Sequence, residues 1–184
     1  MRRLVLVLAA LAIAVPAVAG TLAGVTLPDS ISVGGRTLAL NGMGVRTKVF
    51  FKVYVGGLYL EKKTTDAAEV IQSDAARRLV LQFVRDVDRN QITEAFDESV
   101  RNNAAAQAAS LKAEVAQFLA ALEPFKSGEQ MTITYLPGTG TTISVKGADK
   151  VTIPGLPFGQ LVFSMWLGPK PPSGDLKKGL LGIR

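Results

Sequence analysis

The run of residues 45–60 limits the possible folds of this chain more than any other segment. It reads VRTKVFFKVYVGGLYL and is dense in Val, Phe and Tyr, the residue types that fit the pleated, half-buried surface of a sheet. We therefore predict one long β-strand here. The glycine pair Gly56-Gly57 inside it indicates a bulge or a point where another backbone comes close.

Alternation along this strand separates two faces, because successive side chains point to opposite sides of a sheet. The odd positions form an almost wholly apolar face, which we expect to pack against helices: Val45, Thr47, Val49, Phe51, Val53 and Val55. The even positions mix cations with aromatic rings: Arg46, Lys48, Phe50, Lys52 and Tyr54.

The even face is the candidate site, because Arg46 and Tyr54 share it. A guanidinium is a planar fork of donors that suits a carboxylate or a delocalised oxyanion, and a nearby tyrosine hydroxyl adds a second donor. A solvated outer face is the alternative, since mixed faces of antiparallel sheets are usually wet. The sequence leaves open whether Lys48 and Lys52 meet a ligand or only water.

The other segments alternate between strand and helix signals. Short β-prone runs bounded by turn residues lie at 21–47, 78–85, 131–136, 141–147 and 150–154. Helices are predicted at 66–73, from residue 88, at 107–123, at 158–167 and after Ser173. Tight turns between neighbouring strands favour an α+β fold, with a large antiparallel sheet and helices against one face. No repeat or linker divides the chain, so residues 20–184 are predicted to form a single domain.

The helix after residue 88 has the clearest start signal. Asp88 can cap it, with Gln91 at the capping-box position. Ile92, Phe96 and Val100 then follow at i, i+4 and i+8 and form one apolar face. The next apolar stripe, in residues 107–123, stops before a proline and predicts a second amphipathic helix.

The first 19 residues read as an export signal. MRRLVLVLAALAIAVPAVA combines a positive start, an apolar stretch and the small residues Ala17-Val18-Ala19, which are the three parts of a secretory signal peptide. A membrane anchor is the alternative, but a span needs about 20 apolar residues and this run is shorter and contains Pro16. We predict cleavage after Ala19, a periplasmic or secreted protein, and no stable membrane span after cleavage.

Histidine and cysteine are absent from the sequence, which excludes a disulfide framework, a zinc finger, a thiol nucleophile and a Ser-His-Asp triad. The 15 acidic residues do not cluster at ligand spacing, so we predict neither a metal nor a cofactor. The formal charge is +6, but the cations are scattered without interleaved aromatics, which argues against a nucleic-acid partner. A small apolar or aromatic anion is the partner we expect, and the oligomeric state is left undetermined.

Two blocks of the sequence resemble the chalcone isomerase family. The first runs from Gly42-Met-Gly-Val-Arg46 into Phe50-Phe-Lys-Val-Tyr-Val-Gly-Gly-Leu-Tyr-Leu-Glu61, and the second reads MWLGPKPPSGDLK, ending at Lys177. Within the family the chain is most similar to the exported bacterial chalcone isomerase-like branch. The resemblance covers about residues 38–181. It implies an open-faced β-sandwich, in which a large antiparallel sheet lies under helices with a ligand cleft between them.

The resemblance also implies roles for the two strand residues. Arg46 matches the arginine that meets a substrate phenolate in true chalcone isomerases and a fatty-acid carboxylate in non-catalytic relatives. Tyr54 stands where catalytic members have threonine, and tyrosine is the residue type of the fatty-acid-binding relatives. Both residues are therefore the candidates for catalysis and for holding a ligand's head group.

The rest of the catalytic pattern fits this sequence badly. The helical tyrosine, lysine and asparagine of catalytic members would fall near Ile92, Ala95 and Ser99, and a late threonine or serine near Met165. Since loss of a single oxyanion donor costs about 2.7–4 kcal/mol of transition-state stabilisation, efficient cyclisation is not expected. The ligand contacts that the resemblance implies are Arg46, Tyr54, Ile92, Phe96, Ser99 and Met165.

Three hypotheses follow. The first is an exported binder, non-catalytic or weakly catalytic, of a fatty acid or a similar apolar carboxylate. The second is an intramolecular lyase that cyclises a phenolic enone, as from chalcone to flavanone, with Arg46 stabilising the oxyanion and Tyr54 donating a hydrogen bond. The third is a structural or partner-binding envelope protein whose cleft has no ligand.

Overall fold

A computed structural model describes residues 19–183, so the predicted signal peptide lies outside the described residues except for Ala19 at its end. Seven strands form one antiparallel sheet in which chain order and spatial order coincide. They are β3 (Ser30–Val33), β4 (Arg36–Lys48), β5 (Phe51–Leu60), β6 (Arg77–Phe83), β7 (Gln130–Leu136), β8 (Gly140–Val145) and β9 (Ala148–Ile153). A separate hairpin precedes them, formed by β1 (Ala19–Leu22) and β2 (Val25–Pro28).

Five helices complete the described chain: α1 (Ala67–Gln72), α2 (Arg89–Ser110), α3 (Lys112–Ala120), α4 (Leu156–Leu167) and α5 (Gly174–Leu180). Alternation along β6 shows how the layers are arranged. Leu79 and Leu81 pack in the large core with α2, α3 and α4, whereas Val80 packs in a smaller core with the β1–β2 hairpin. The predicted α+β fold, an antiparallel sheet with helices on one face, is confirmed, and the hairpin covers part of the other face.

The prediction of one long strand over residues 45–60 is wrong. The chain turns back at Val49 and Phe50, so that the segment forms the end of β4 and the whole of β5. No glycine, asparagine or proline marks this turn, and Val49 itself takes a φ of 59°, a left-handed conformation that is rare for a β-branched residue. The sequence pattern does not reveal this turn, because its residues are good strand formers.

The two faces of this segment are also assigned the other way round. Tyr54 and Leu58 lie in the large core under the helices, whereas Val55 and Tyr59 lie in the smaller core. Of the apolar face predicted to meet the helices, Val45 and Val55 pack in the smaller core with the β1–β2 hairpin, whereas Val53, which lies at a register shift, packs against the large core. Tyr54 is only 2% exposed, so the alternative of a solvated face does not hold for it.

The glycines of β4 and β5 mark close approaches of other segments. At the Gly56-Gly57 pair the neighbours are side chains and not the predicted backbone, which instead comes close at Gly42 and Gly44 on β4. A Cβ on Gly57 would lie 2.3 Å from Leu27 Cδ1, and the register at both glycines is regular, so neither forms a bulge. On β4, a Cβ on Gly44 would lie 2.4 Å from the carbonyl oxygen of Leu176. Helix α5 therefore rests directly on the backbone of β4, where only glycine leaves room.

Helix α2 begins as its sequence predicts. The Asp88 carboxylate accepts from the backbone N–H of Gln91, and the Gln91 side-chain oxygen accepts from the backbone N–H of Asp88, which completes the capping box. The predicted face of Ile92, Phe96 and Val100 is buried. The second helix differs from its prediction, because α2 continues to Ser110 through an irregularity at Ala104 and α3 starts only at Lys112. None of the helices within residues 19–183 has the length and apolar character needed to cross a bilayer.

Candidate functional site

A cavity of about 300 Å³ opens between the paired ends of β4, β5 and β6 and the first turns of α2. Its volume is at the lower end of the range of about 300–1,000 Å³ that is usual for small-molecule sites. The lining residues are Arg46, Lys48, Val49, Phe51, Val53, Tyr54, Phe83, Arg85, Asp86, Val87, Gln91, Ile92, Ala95 and Phe96. Most of these are apolar. Of the charged ones, Arg46 and Lys48 are on β4, and Arg85 and Asp86 are in the segment between β6 and α2.

A β-bulge brings the two predicted site residues together. Near the turn the register is regular, with Lys48 opposite Phe51 and Thr47 opposite Lys52, but the next pair is Arg46 and Tyr54. Val53 is the extra residue that this shift leaves on β5. Without the bulge Arg46 would face Val53, so the bulge is what aims an arginine and a tyrosine at the same point, a use of bulges that is common beside functional sites.

The hydroxyl of Tyr54 has a proton to offer. It accepts a hydrogen bond of 2.9 Å from the indole Nε1 of Trp166, which fixes the orientation of the ring and uses one lone pair. Within residues 19–183 no acceptor lies in range of the hydroxyl's own proton. A ligand oxygen beside Tyr54 would therefore find a buried, oriented donor.

Arg46 supplies the charge next to that donor. Its side chain is half-buried, and among the described residues no carboxylate lies within ion-pair distance of it. Burial raises the pKa of Tyr54, and the positive charge of Arg46 partly opposes this effect. The tyrosine therefore stays neutral at physiological pH, as a hydrogen-bond donor beside an unneutralised cation.

The buried wall of the cavity is aromatic. Phe83 makes an edge contact with Tyr54, with ring centroids 5.6 Å apart, and Phe96 makes one with Trp166 at 5.4 Å. Ile92 is 3% exposed and lies on the same side of α2 as Phe96. The arginine and tyrosine thus sit at one edge of an apolar chamber, which suits a molecule with one anionic group and an apolar body.

The outer rim of the cavity is exposed and largely cationic. Lys48 and Arg85 lie there, and the guanidinium of Arg85 stacks over the Phe51 ring with its carbon 4.7 Å from the centroid. Asp86, the one acidic lining residue, forms an ion pair of 2.8 Å with Lys126. The rim therefore presents a net positive charge to solvent.

The structure brings together four of the six predicted site residues: Arg46, Tyr54, Ile92 and Phe96 all line the cavity. Ser99 and Met165 do not line it. Ser99 is buried one helical turn further along α2, and Met165 is fully buried in the core on α4. Lys48 lines the rim, whereas Lys52 does not.

Sequence reasoning missed the contribution of β6. Phe83 pairs with Tyr54 in the sheet, and Arg85 follows two residues later at the rim. The usable signal was the expectation that consecutive strands are neighbours, which places the end of β6 beside the start of β5. The sequence did not reveal the turn at Val49 and Phe50, and without that turn the two ends do not meet.

A second arginine and tyrosine lie on the same side of the sheet, outside this cavity. Arg77 is 1% exposed, and its Nη1 donates to the carbonyl oxygens of Ser73 at 2.6 Å and Ala75 at 3.2 Å. Its guanidinium lies between the rings of Tyr135 and Phe163. Burial lowers the pKa of Arg77 to about 10.

Tyr135 is likewise committed inside the protein, because its hydroxyl donates to Asp74. A smaller cavity of about 250 Å³ adjoins Arg77. The Nε of Arg77 has no hydrogen-bond partner in the described chain, but its Nη1 and the Tyr135 hydroxyl do, and Asp74 supplies a negative charge beside them. This second pair therefore offers an anionic ligand much less than Arg46 and Tyr54 do.

Comparison with known proteins agrees with this architecture. A family profile described as chalcone isomerase-like matches residues 19–182, nearly the whole chain. The chain belongs to the chalcone isomerase-like family. No curated protein sequence matches it.

Among solved structures, this family member is similar to a fatty-acid binding protein of Arabidopsis thaliana. The superposition has a TM-score of 0.69 and covers 89% of this chain and 95% of that one, at 14% sequence identity. At this identity the likeness establishes the shared fold.

The second block of the resemblance to the chalcone isomerase-like family has a structural role here. Ser173 caps α5 by accepting from the Leu176 amide, and the Nζ of Lys177 donates to the carbonyl oxygen of Gly168 at 2.9 Å, just past the end of α4. These residues hold helix ends and do not line the cavity. Of the two blocks, only the first lines the cavity, whereas the second contributes Trp166, which lies behind the lining and holds the Tyr54 hydroxyl.

Proposed function

We propose that this protein binds a fatty acid or a similar apolar carboxylate, without catalysis or with only weak catalysis. The carboxylate would take the place beside Arg46 and Tyr54, and the apolar part would fill the chamber between β5, β6 and α2. The proposal includes export of the chain, with residues 1–19 removed.

One observation carries the proposal: a buried tyrosine hydroxyl with an unused proton stands beside an arginine that has no carboxylate partner among the described residues. A carboxylate satisfies both at once, since it accepts from a guanidinium and a hydroxyl through separate lone pairs. The similarity to a fatty-acid binding protein of the same fold supports this choice of ligand.

Cyclisation of a phenolic enone is the weaker alternative. Arg46 and Tyr54 would suit its oxyanion, but Ile92 and Ala95 of α2 line the chamber where catalytic members have donors, and neither has one. Gln91 is the one α2 lining residue with a side-chain donor, and its side-chain oxygen is held in the capping box. The indole N–H of Trp166 already donates its hydrogen bond to Tyr54. A hydroxychalcone that lost its absorbance faster with the protein than without it would favour this alternative.

The first test is to titrate dodecanoate against the wild type and Arg46→Ala by calorimetry. We expect the variant to bind about 10- to 150-fold more weakly, because a hydrogen bond to a charged group contributes about 1.5–3 kcal/mol. Lys52→Ala is the matched control. It removes an exposed cation from the neighbouring strand that does not line the cavity, and it should bind as the wild type does.

A change on the ligand side completes this test. Methyl dodecanoate keeps the apolar chain but lacks the charge, so the wild type should bind it as weakly as Arg46→Ala binds dodecanoate. Native mass spectrometry of the protein from the exported fraction would show a bound fatty acid and, from the chain mass, cleavage after Ala19. Equal dodecanoate affinity in the wild type and Arg46→Ala would remove the proposal.

A further inference from the structure

The turn between β4 and β5 exposes an unusual amount of apolar surface. We call residues Lys48, Val49, Phe50, Phe51 and Lys52 the hairpin tip. Val49, Phe50 and Phe51 are 76%, 90% and 60% exposed, and the only other large hydrophobic side chain exposed within residues 19–183 is Ile183. Contiguous exposed apolar side chains of this kind mark interaction sites on soluble proteins.

The backbone of the hairpin tip is strained at one of its apolar residues, Val49. The turn has two central residues, and only the first, Val49, has a positive φ. Two-residue hairpin turns of that geometry favour glycine at this position. A valine there is strained, and strained conformations in folded proteins concentrate at functional sites.

Cations surround the apolar side chains. Lys48 and Lys52 flank them in sequence and are exposed, and Arg85, two residues after the end of β6, stacks on Phe51. The nearest acidic lining residue, Asp86, is neutralised by Lys126. Aromatic rings bordered by basic side chains complement a bilayer with anionic headgroups, because the rings enter the acyl boundary while the cations meet the phosphates.

The hairpin tip also borders the mouth of the cavity. Lys48, Val49 and Phe51 line its rim, and Tyr54 lies deeper on the same strand. A bilayer in contact with the tip would face the open end of the chamber. The cavity would then open toward the membrane surface.

We propose that the hairpin tip docks this protein on membranes rich in anionic lipid, with Phe50 and Phe51 inserted at the level of the acyl boundary. Docking depends on the tip alone. Passage of a carboxylate between bilayer and cavity is an extension that rests on the proposed function.

The test measures binding of the full chain to vesicles of phosphatidylcholine with an equal share of phosphatidylglycerol, and to vesicles of phosphatidylcholine alone. The wild type should prefer the anionic vesicles. Lys48→Ala with Lys52→Ala should weaken this binding about thirtyfold, because each basic residue near such a surface contributes about one factor of five. The matched control is Lys62→Ala with Lys63→Ala, two exposed lysines beyond the other end of β5, which should bind as the wild type.

Insertion is tested by a reporter at the tip itself. In Phe50→Trp the added indole should shift its emission to shorter wavelength on the anionic vesicles and be quenched by brominated acyl chains, while the buried Trp166 stays unchanged. Phe50→Ser with Phe51→Ser should lose vesicle binding, whereas Ile183→Ser should keep it. Because every variant carries the same N-terminal segment, these differences report on the tip.

Two results would overturn the docking proposal. One is an indole in Phe50→Trp that is neither shifted nor quenched. The other is intact vesicle binding in Phe50→Ser with Phe51→Ser. If this variant also sediments differently from the wild type in the absence of vesicles, the tip is a contact between copies of the chain. The vesicles contain no free fatty acid, so failure here leaves the dodecanoate result untouched, and a negative dodecanoate result leaves this one untouched.

Discussion

Two arginine–tyrosine pairs lie on the helix-facing side of one sheet, and only one of them is available to a ligand. Arg77 donates hydrogen bonds to the carbonyl oxygens of Ser73 and Ala75. Tyr135 donates one to the carboxylate of Asp74. Tyr54 only accepts a bond, and Arg46 has no ion-pair partner in the described chain. The pairs do not differ in residue type, and the Nε of Arg77 also lacks a hydrogen-bond partner in the described chain. They differ because Asp74 supplies a carboxylate to Arg77 and Tyr135, whereas Tyr54 keeps its proton and Arg46 has no such carboxylate.

The largest effect that separates the pairs should come from Arg77→Ala. It removes a buried side chain that holds the segment after α1 and fills the space between two rings, so we expect a loss of about 3 kcal/mol in the free energy of unfolding. Arg46→Ala, at a half-buried position with no ion-pair partner among the described residues, should lose less than about 1 kcal/mol. Urea unfolding measures both, and equal losses would mean that the two arginines have the same structural role.

A smaller effect is expected from the tyrosines. Tyr135→Phe breaks the bond to Asp74 and should lower the free energy of unfolding by about 1 kcal/mol, with no change in dodecanoate affinity. Tyr54→Phe should lower that affinity about five- to tenfold, as expected for the loss of one hydrogen bond. Calorimetry and urea unfolding on both variants give the comparison, and it fails if Tyr135→Phe weakens dodecanoate binding as much as Tyr54→Phe does.

The mildest perturbation leaves the sequence intact and raises the pH. All three tyrosines have a raised pKa in the folded protein: burial is the main cause for each, and the pKa is about 12 for Tyr59 and for Tyr135. An unfolded tyrosine ionises at about 10, so between about pH 10 and 12 the unfolded chain binds fewer protons than the folded one. Stability must then fall as the pH rises through this window.

Absorbance of the phenolate checks this pH dependence. Below about pH 9 stability should not respond to the tyrosines, and above about pH 10 phenolate should appear together with unfolding. A phenolate signal with a midpoint near 10 in a protein that is still folded would show that at least one tyrosine is open to solvent. If that signal disappeared in Tyr54→Phe, Tyr54 would lose its role as a protected donor.

The sequence predicted the layers of the fold and the proximity of Arg46 and Tyr54, but the proximity was derived from a strand that does not exist as one piece. Arg46 and Tyr54 were placed together by alternation along one strand, whereas in the structure they face each other across a hairpin. Alternation carries no information about a turn built from strand-forming residues, nor about the bulge at Val53. Both depend on how β5 pairs with β4 and packs on its neighbours.

Helical positions were easier to predict than their distance from the site. The spacing of Ile92 and Phe96 fixes one face of α2, and that face meets the cavity. Ser99 shares the buried side of the same helix, but it lies beyond the cavity's end. A helical repeat says which side chains point inward, whereas the length of the cavity along the helix is set by the strands below.

The glycine contact between α5 and β4 has a consequence for the order of events in folding. Asn41 on β4 and the carbonyl of Leu180 at the end of α5 are joined by a hydrogen bond across 139 positions of sequence. Bringing such distant segments together requires most of the chain to be ordered first, which slows folding. The strand that carries Arg46 acquires its helical support only at that closure, so we expect a newly made chain to complete the cavity beside Arg46 late in folding.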